Sequence, residues 1–137
     1  MVVEKFTFTN QDGQQLAARF DLPEGPHLAS ALFAHCFTCS KDIPAAKRIA
    51  QRLAAQGIAV LRFDFTGLGH SGGEFSNTNF STNMFDLIAA TQAMTERGFP
   101  PSLLIGHSLG GAAVLAVADQ IKSAKAIVTI GAPFEPS

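Results

Sequence analysis

A chain of 137 residues, 47% of them hydrophobic, can bury roughly two thirds of the surface that its unfolded form exposes, enough for one core. Ten basic residues against eleven acidic ones leave a formal net charge of -1, and no run of like charge forms a patch able to neutralise phosphates, so nucleic acid is not an expected partner. The opening Met1-Val2-Val3-Glu4-Lys5 lacks the regions of a secretion signal, no apolar run approaches the ~20 residues that span a bilayer, and Cys36 and Cys39 are too few for a disulfide framework; a soluble, cytoplasmic chain without a membrane partner is the expectation.

Residues 5–9 and 15–21 alternate in polarity around Gln11-Asp12-Gly13, where Asp-Gly signals a tight turn, and predict an antiparallel hairpin. After Pro23-Glu24-Gly25-Pro26, residues 29–34 are apolar on both faces, as a strand covered by helices on each side would be. Pro44 suits a first helical position; Ala46, Ile49, Ala50, Leu53 and Ala54 share a helical face, and Gly57 supplies the stop. Residues 58–63 read as the next buried strand, and residues 66–79 as a polar, glycine-rich connection. Met84, Leu87, Ile88, Thr91 and Met94 recur at helical spacing, with Gly98 and Pro100-Pro101 as the end. A strand over 102–105, a helix over 109–121 that is apolar nearly all round and therefore expected in the interior, and a strand over 126–130 complete the series. Strands alternating with helices of this length imply an α/β fold: a mainly parallel sheet with helices on both faces. The whole chain, 1–137, reads as part of one domain.

The segment Gly106-His107-Ser108-Leu109-Gly110 places Gly-x-Ser-x-Gly between a strand and a helix. A serine in so sharp a turn has strained backbone angles, so a φ that is positive or near the disallowed boundary is expected at Ser108, and its neighbours two positions away must be tiny for strand and helix to approach. Gly106 and Gly110 meet that need. The turn also presents the Ser108 hydroxyl at a helix N-terminus, where free N–H groups favour developing negative charge. Ser108 is the expected nucleophile.

GHSLGG, the strand end Ala34-His35-Cys36-Phe37 and the segment Phe63-Asp64-Phe65-Thr66-Gly67-Leu68-Gly69-His70-Ser71 stand in the order and spacing of the α/β-hydrolase superfamily, which the chain resembles over nearly its whole length. More narrowly, HCFTCSKD with FDFTGLGHSGGEF is similar to the hydrolase module fused to an OsmC-like peroxidase domain in bacterial two-domain proteins. The resemblance implies an α/β-hydrolase fold, C-terminally incomplete, with an N-terminal antiparallel hairpin. It implies an oxyanion hole made by the N–H groups of Leu109 and Phe37, although Cys36 stands where the family usually has glycine. It also implies an OsmC-like domain as a C-terminal partner. The segment Asp64-x-x-Gly67-x-Gly69-x-Ser71 resembles the loop that shapes the floor of the site, a structural role. Read naively, Gly67-Leu68-Gly69-His70-Ser71-Gly72 also matches a dinucleotide fingerprint, but residues 73–79 do not read as the helix which that motif requires.

The general base of such an enzyme follows the nucleophile in sequence, yet no histidine lies beyond His107. His107 is inside the elbow, with its side chain expected to point away from Ser108; His35 and His70 are read as structural, with a place in the pocket wall as the alternative. The triad acid and histidine are therefore expected outside the chain. Glu135 is at the edge of the acid's position, and Asp119, about 15 Å along its helix at ~1.5 Å per residue, is excluded. Cys36-Phe37-Thr38-Cys39 is read as two partly buried thiols, with a redox pair as the alternative and no metal site. The expected protein is a serine hydrolase acting on a small-molecule ester-like or amide-like acyl substrate through an acyl-serine, without cofactor. A hydrolase-like scaffold module or a serine peptidase is the alternative. Residues 126–130 should form an apolar edge that pairs with a second copy, giving a homodimer.

Overall fold

The computed structural model describes residues 2–35, 41, 44–67, 71–73, 80–107 and 109–131. Strands β1 (Val2–Thr9) and β2 (Gln15–Leu22) form the expected antiparallel hairpin. Asn10 shapes its turn, the side-chain oxygen accepting the N–H groups of Asp12 and Gln14 at 2.9 Å each. Then come β3 (Ala29–Ala34), α1 (Pro44–Ala55), β4 (Ile58–Phe63), α2 (Phe80–Glu96), β5 (Leu103–His107), α3 (Leu109–Val117), a 3₁₀ turn (Ala118–Gln120) and β6 (Ala126–Ile130). Gly57 ends α1 with φ 89°, a left-handed value that disfavours any side chain.

The strands order as β1-β2-β4-β3-β5-β6. β2 pairs antiparallel to β4, and β3, β4, β5 and β6 run parallel. Side chains alternate across this sheet as the period of two demands. Leu32, Ala34, Ala59, Leu61, Phe63 and Leu104 join the core under α2 and α3, whereas Ala31, Phe33, Val60 and Ile105 join Ala46 and Ala50 of α1 in a smaller core on the other face. β3 leads through α1 to β4 on one side, and β5 leads through α3 to β6 on the other, with the two helices on opposite faces. Right-handed crossovers require that arrangement, and it makes the gap between the C-terminal ends of β3 and β5 the point where the chain direction reverses.

One element differs from expectation. The helix expected over 109–121 is α only to Val117, and on it Leu115 is 56% exposed while Ala113, Val114 and Val117 are buried; all-round apolarity fails to report burial because only one face meets the sheet and α2. β6 is the expected apolar edge strand, with all five residues exposed, among them Ile127, Val128 and Ile130. No helix among the described residues is long and apolar enough to cross a membrane.

Candidate active site

The switch point between β3 and β5 is where the sequence motifs converge. Ala34 and Gly106 are register partners at the ends of these strands. The two glycines of the elbow are positioned by contact rather than by torsion. A Cβ on Gly106 would lie 2.5 Å from the Gly110 carbonyl oxygen and against the Gly111 Cα, and one on Gly110 would lie 2.5 Å from the His35 carbonyl oxygen and against that of Ala34. These neighbours are backbone atoms, which cannot rotate away, so β5, the first turn of α3 and the end of β3 approach this closely only with glycine at both positions. The residue between strand and helix, Ser108, lies outside the described residues, as do Cys36, Phe37, Cys39, His70 and Glu135. The expectations for φ at Ser108, for convergence of the Leu109 and Phe37 N–H groups, and for the thiols fall there.

His107 closes β5 opposite Ile130, and its Nδ1 is buried with no hydrogen-bond partner among the described residues. His35 is fully buried beyond the end of β3, edge-on to the Phe65 ring with centroids 5.1 Å apart, and its Nε2 lies 3.7 Å from Asp64 Oδ1. Asp119 is exposed in the 3₁₀ turn at the far end of α3, away from the elbow.

Beneath the site runs a set of buried charges that hydrophobic patterning did not single out. Arg62 occupies a position on β4 that alternation assigns to the α1 face, and it is 2% exposed. Its Nε donates to Asp21 Oδ2 at 2.7 Å, its Nη2 to Asp21 Oδ1 at 3.3 Å, and its Nη1 to the Lys41 carbonyl at 2.6 Å. Lys41 in turn donates its backbone N–H to Asp64 Oδ1 at 2.7 Å and its ammonium to Asp64 Oδ2 at 3.0 Å. The available signal was Arg62 itself: a charge inside the run Ile58-Ala59-Val60-Leu61-Arg62-Phe63 must find a partner when buried.

A second network fixes the segment after β4. Asp86 on α2 accepts the Thr66 N–H at 2.9 Å, the Thr66 hydroxyl at 2.7 Å and the Asn10 amide at 3.2 Å. Burial pushes the Asp86 carboxyl above its ordinary value, against the opposing pull of the Thr66 and Asn10 donors, and the nearby charge of Asp12 adds to the rise. The Ser71 hydroxyl donates to the Asp64 carbonyl and accepts the Ala17 N–H at 2.9 Å. The Gly67 N–H donates to the Gly72 carbonyl and the Gly72 N–H to the Gln15 carbonyl. The Gly67 and Gly72 amides, committed in this way, are not presented to a pyrophosphate; residues 68–70 of that fingerprint lie outside the described residues. A groove of about 550 Å³, lined by residues such as Pro23, Leu28 and Gly57, lies at the opposite end of the parallel strands and has no part in this site.

The fold and the glycine-packed turn define an α/β-hydrolase scaffold. A family model described as serine aminopeptidase S33 matches residues 39–137, and the chain belongs to this family of α/β-hydrolases. The esterase domain of a Rhodothermus marinus protein is 53% identical, with TM-score 0.82 over 99% of this chain and 52% of that one. Est1E from Butyrivibrio proteoclasticus, solved with ferulic acid bound, is 27% identical with TM-score 0.79 over 88% of this chain and 50% of that one. A serine hydrolase without lid from Xanthomonas campestris, at 24% identity, shares the fold with TM-score 0.84 over 96% of this chain and 62% of that one. No curated protein matches the chain. The chain spans about half the length of the solved structures it matches.

Proposed function

We propose that the chain carries the nucleophile half of an esterase-type serine hydrolase. Ser108 attacks the acyl carbon, the N–H groups of Leu109 and Phe37 hold the oxyanion, and an acyl-serine forms and is then hydrolysed. The observation that carries this reading is the backbone contact of Gly110 with the Ala34 and His35 carbonyls. A turn this tight brings the start of α3 to the end of β3, the approach that a nucleophile elbow needs. The general base and its acid partner are proposed to come from polypeptide outside these 137 residues, since no histidine follows Ser108 within them. A small-molecule acyl ester is the proposed substrate, supported by the 53% identical esterase domain, and an aromatic acyl group belongs in the first panel because of the ferulic acid in Est1E.

The family's description as a serine aminopeptidase favours one second reading, cleavage near a peptide end. The test uses the complete polypeptide with p-nitrophenyl and feruloyl esters beside aminoacyl p-nitroanilides, together with labelling by a fluorophosphonate. Ester turnover and labelling are expected in the parent and abolished by Ser108→Ala. Preferred turnover of anilides would establish the peptidase instead, and labelling that survives Ser108→Ala would overturn the nucleophile assignment.

A further inference from the structure

Residues 36–40 carry the proposed oxyanion donor Phe37, and the two residues that flank them both reach one buried carboxylate. His35 brings Nε2 to 3.7 Å from Asp64 Oδ1. Lys41 gives the same oxygen its backbone N–H at 2.7 Å and gives Oδ2 its ammonium at 3.0 Å. The peptide of Lys41 is held a second time, because its carbonyl accepts Arg62 Nη1 at 2.6 Å and Arg62 is itself locked to Asp21. The upstream flank is fixed as well: the His35 carbonyl abuts Gly110 in the first turn of α3, two residues after Ser108.

We infer that Asp64 and Lys41 form a buried clamp which sets the position of the 36–40 segment relative to the nucleophile, so that both act as positioning residues for oxyanion stabilisation. This rests on the reading of Phe37 as a donor given above. Burial of an ammonium at 5% exposure and a carboxylate at 0% is no gain in stability over an apolar pair of similar volume, because desolvation offsets most of the attraction. An apolar pair lacks something else. It has no acceptor for the Lys41 N–H and cannot fix the backbone direction at the segment's exit. A donor displaced by even a fraction of an ångström from where the oxyanion develops loses most of its effect on the transition state while leaving ground-state binding intact.

The test measures kcat and KM for an activated ester, and the rate of fluorophosphonate labelling, on the complete polypeptide carrying Asp64→Asn, Lys41→Met, or Lys41→Met with Asp64→Leu. Circular dichroism and melting temperature are read beside the kinetics. Asp64→Asn is isosteric, keeps an acceptor for the Lys41 N–H and supplies the answer if the other variants do not fold. The double variant, free of unpaired charge but with the Lys41 N–H left without its acceptor, is expected to fold with a modestly lowered melting temperature yet lose about 10- to 100-fold in kcat and labelling rate, with KM within threefold. Asp64→Asn should lose several-fold in kcat in the same pattern. Folded variants with parental kcat, or with a raised KM and unchanged kcat, would overturn the clamp. Such an outcome is distinct from failure of the nucleophile reading, since Ser108→Ala reports on that alone.

Discussion

Gly110, at the start of α3, is in contact with the carbonyl oxygen of His35, 75 residues earlier in the chain; a Cβ there would come within 2.5 Å of it. Gly110→Ala must therefore push α3 away from β3, and since the obstructing atoms are backbone, the cost is expected to reach about 3 kcal/mol, the upper end of overpacking. Urea denaturation measures it against Gly25→Ala, whose added Cβ meets nothing within 4 Å. Equal midpoints for the two variants would contradict the packing described.

Arg62→Met should be severely destabilising, by roughly 3–5 kcal/mol, because Asp21 is left buried without its guanidinium. Adding Asp21→Leu should recover most of that loss, as removing both charges leaves no uncompensated ion. A double variant as unstable as Arg62→Met would show that the partner of importance is the Lys41 carbonyl, not Asp21.

Asp86 gives a pH dependence of definite sign. Its folded-state pKa is raised, chiefly by burial, so the native state binds the proton more tightly than the unfolded chain does. The stability contributed by this group is fully present below the unfolded value near 3.8 and is lost as pH rises through the higher folded value. Relative to Asp86→Asn, which does not titrate, the parent should lose stability across that window and then level off. Chemical denaturation of both proteins from pH 3.5 to 7 checks this, and a parent that gains on the variant with rising pH would refute it.

Among the described residues β6 pairs with β5 alone, and along its other edge Ile127, Val128 and Ile130 are all more than a third exposed. The 137 residues by themselves are expected to self-associate through this edge, pairing with the β6 of a second copy. Light scattering should give a mass above that of one chain, falling to the monomer with Val128→Lys. A monodisperse monomer at high concentration would rule out the pairing.

The sequence by itself determined every strand and helix to within a few residues, because each carries its own periodicity. Residues 29–34, 58–63 and 126–130 are strands at their expected limits, and Pro44, Gly57 and Gly98 punctuate the helices as local chemistry requires. Gly-x-Ser-x-Gly likewise marked a tight turn: Gly106 answers a steric need local in the chain, whereas the carbonyls that Gly110 must clear, those of Ala34 and His35, are brought to it only by the fold. What the tertiary structure decided was how distant residues combine. The β4-β3-β5 order brings His35, Lys41 and Asp64 to one point, and it allows Arg62 to be buried in a strand that otherwise reads as apolar. No window of sequence contains those pairings, because the partners of Arg62 lie 21 and 41 residues away and a buried charge is tolerable only once its partner has been brought to it. For the same reason Leu115 could be recognised as apolar from the sequence, but only the packing of α3 showed it exposed: hydrophobicity is a property of the residue, whereas burial depends on what the fold sets against it.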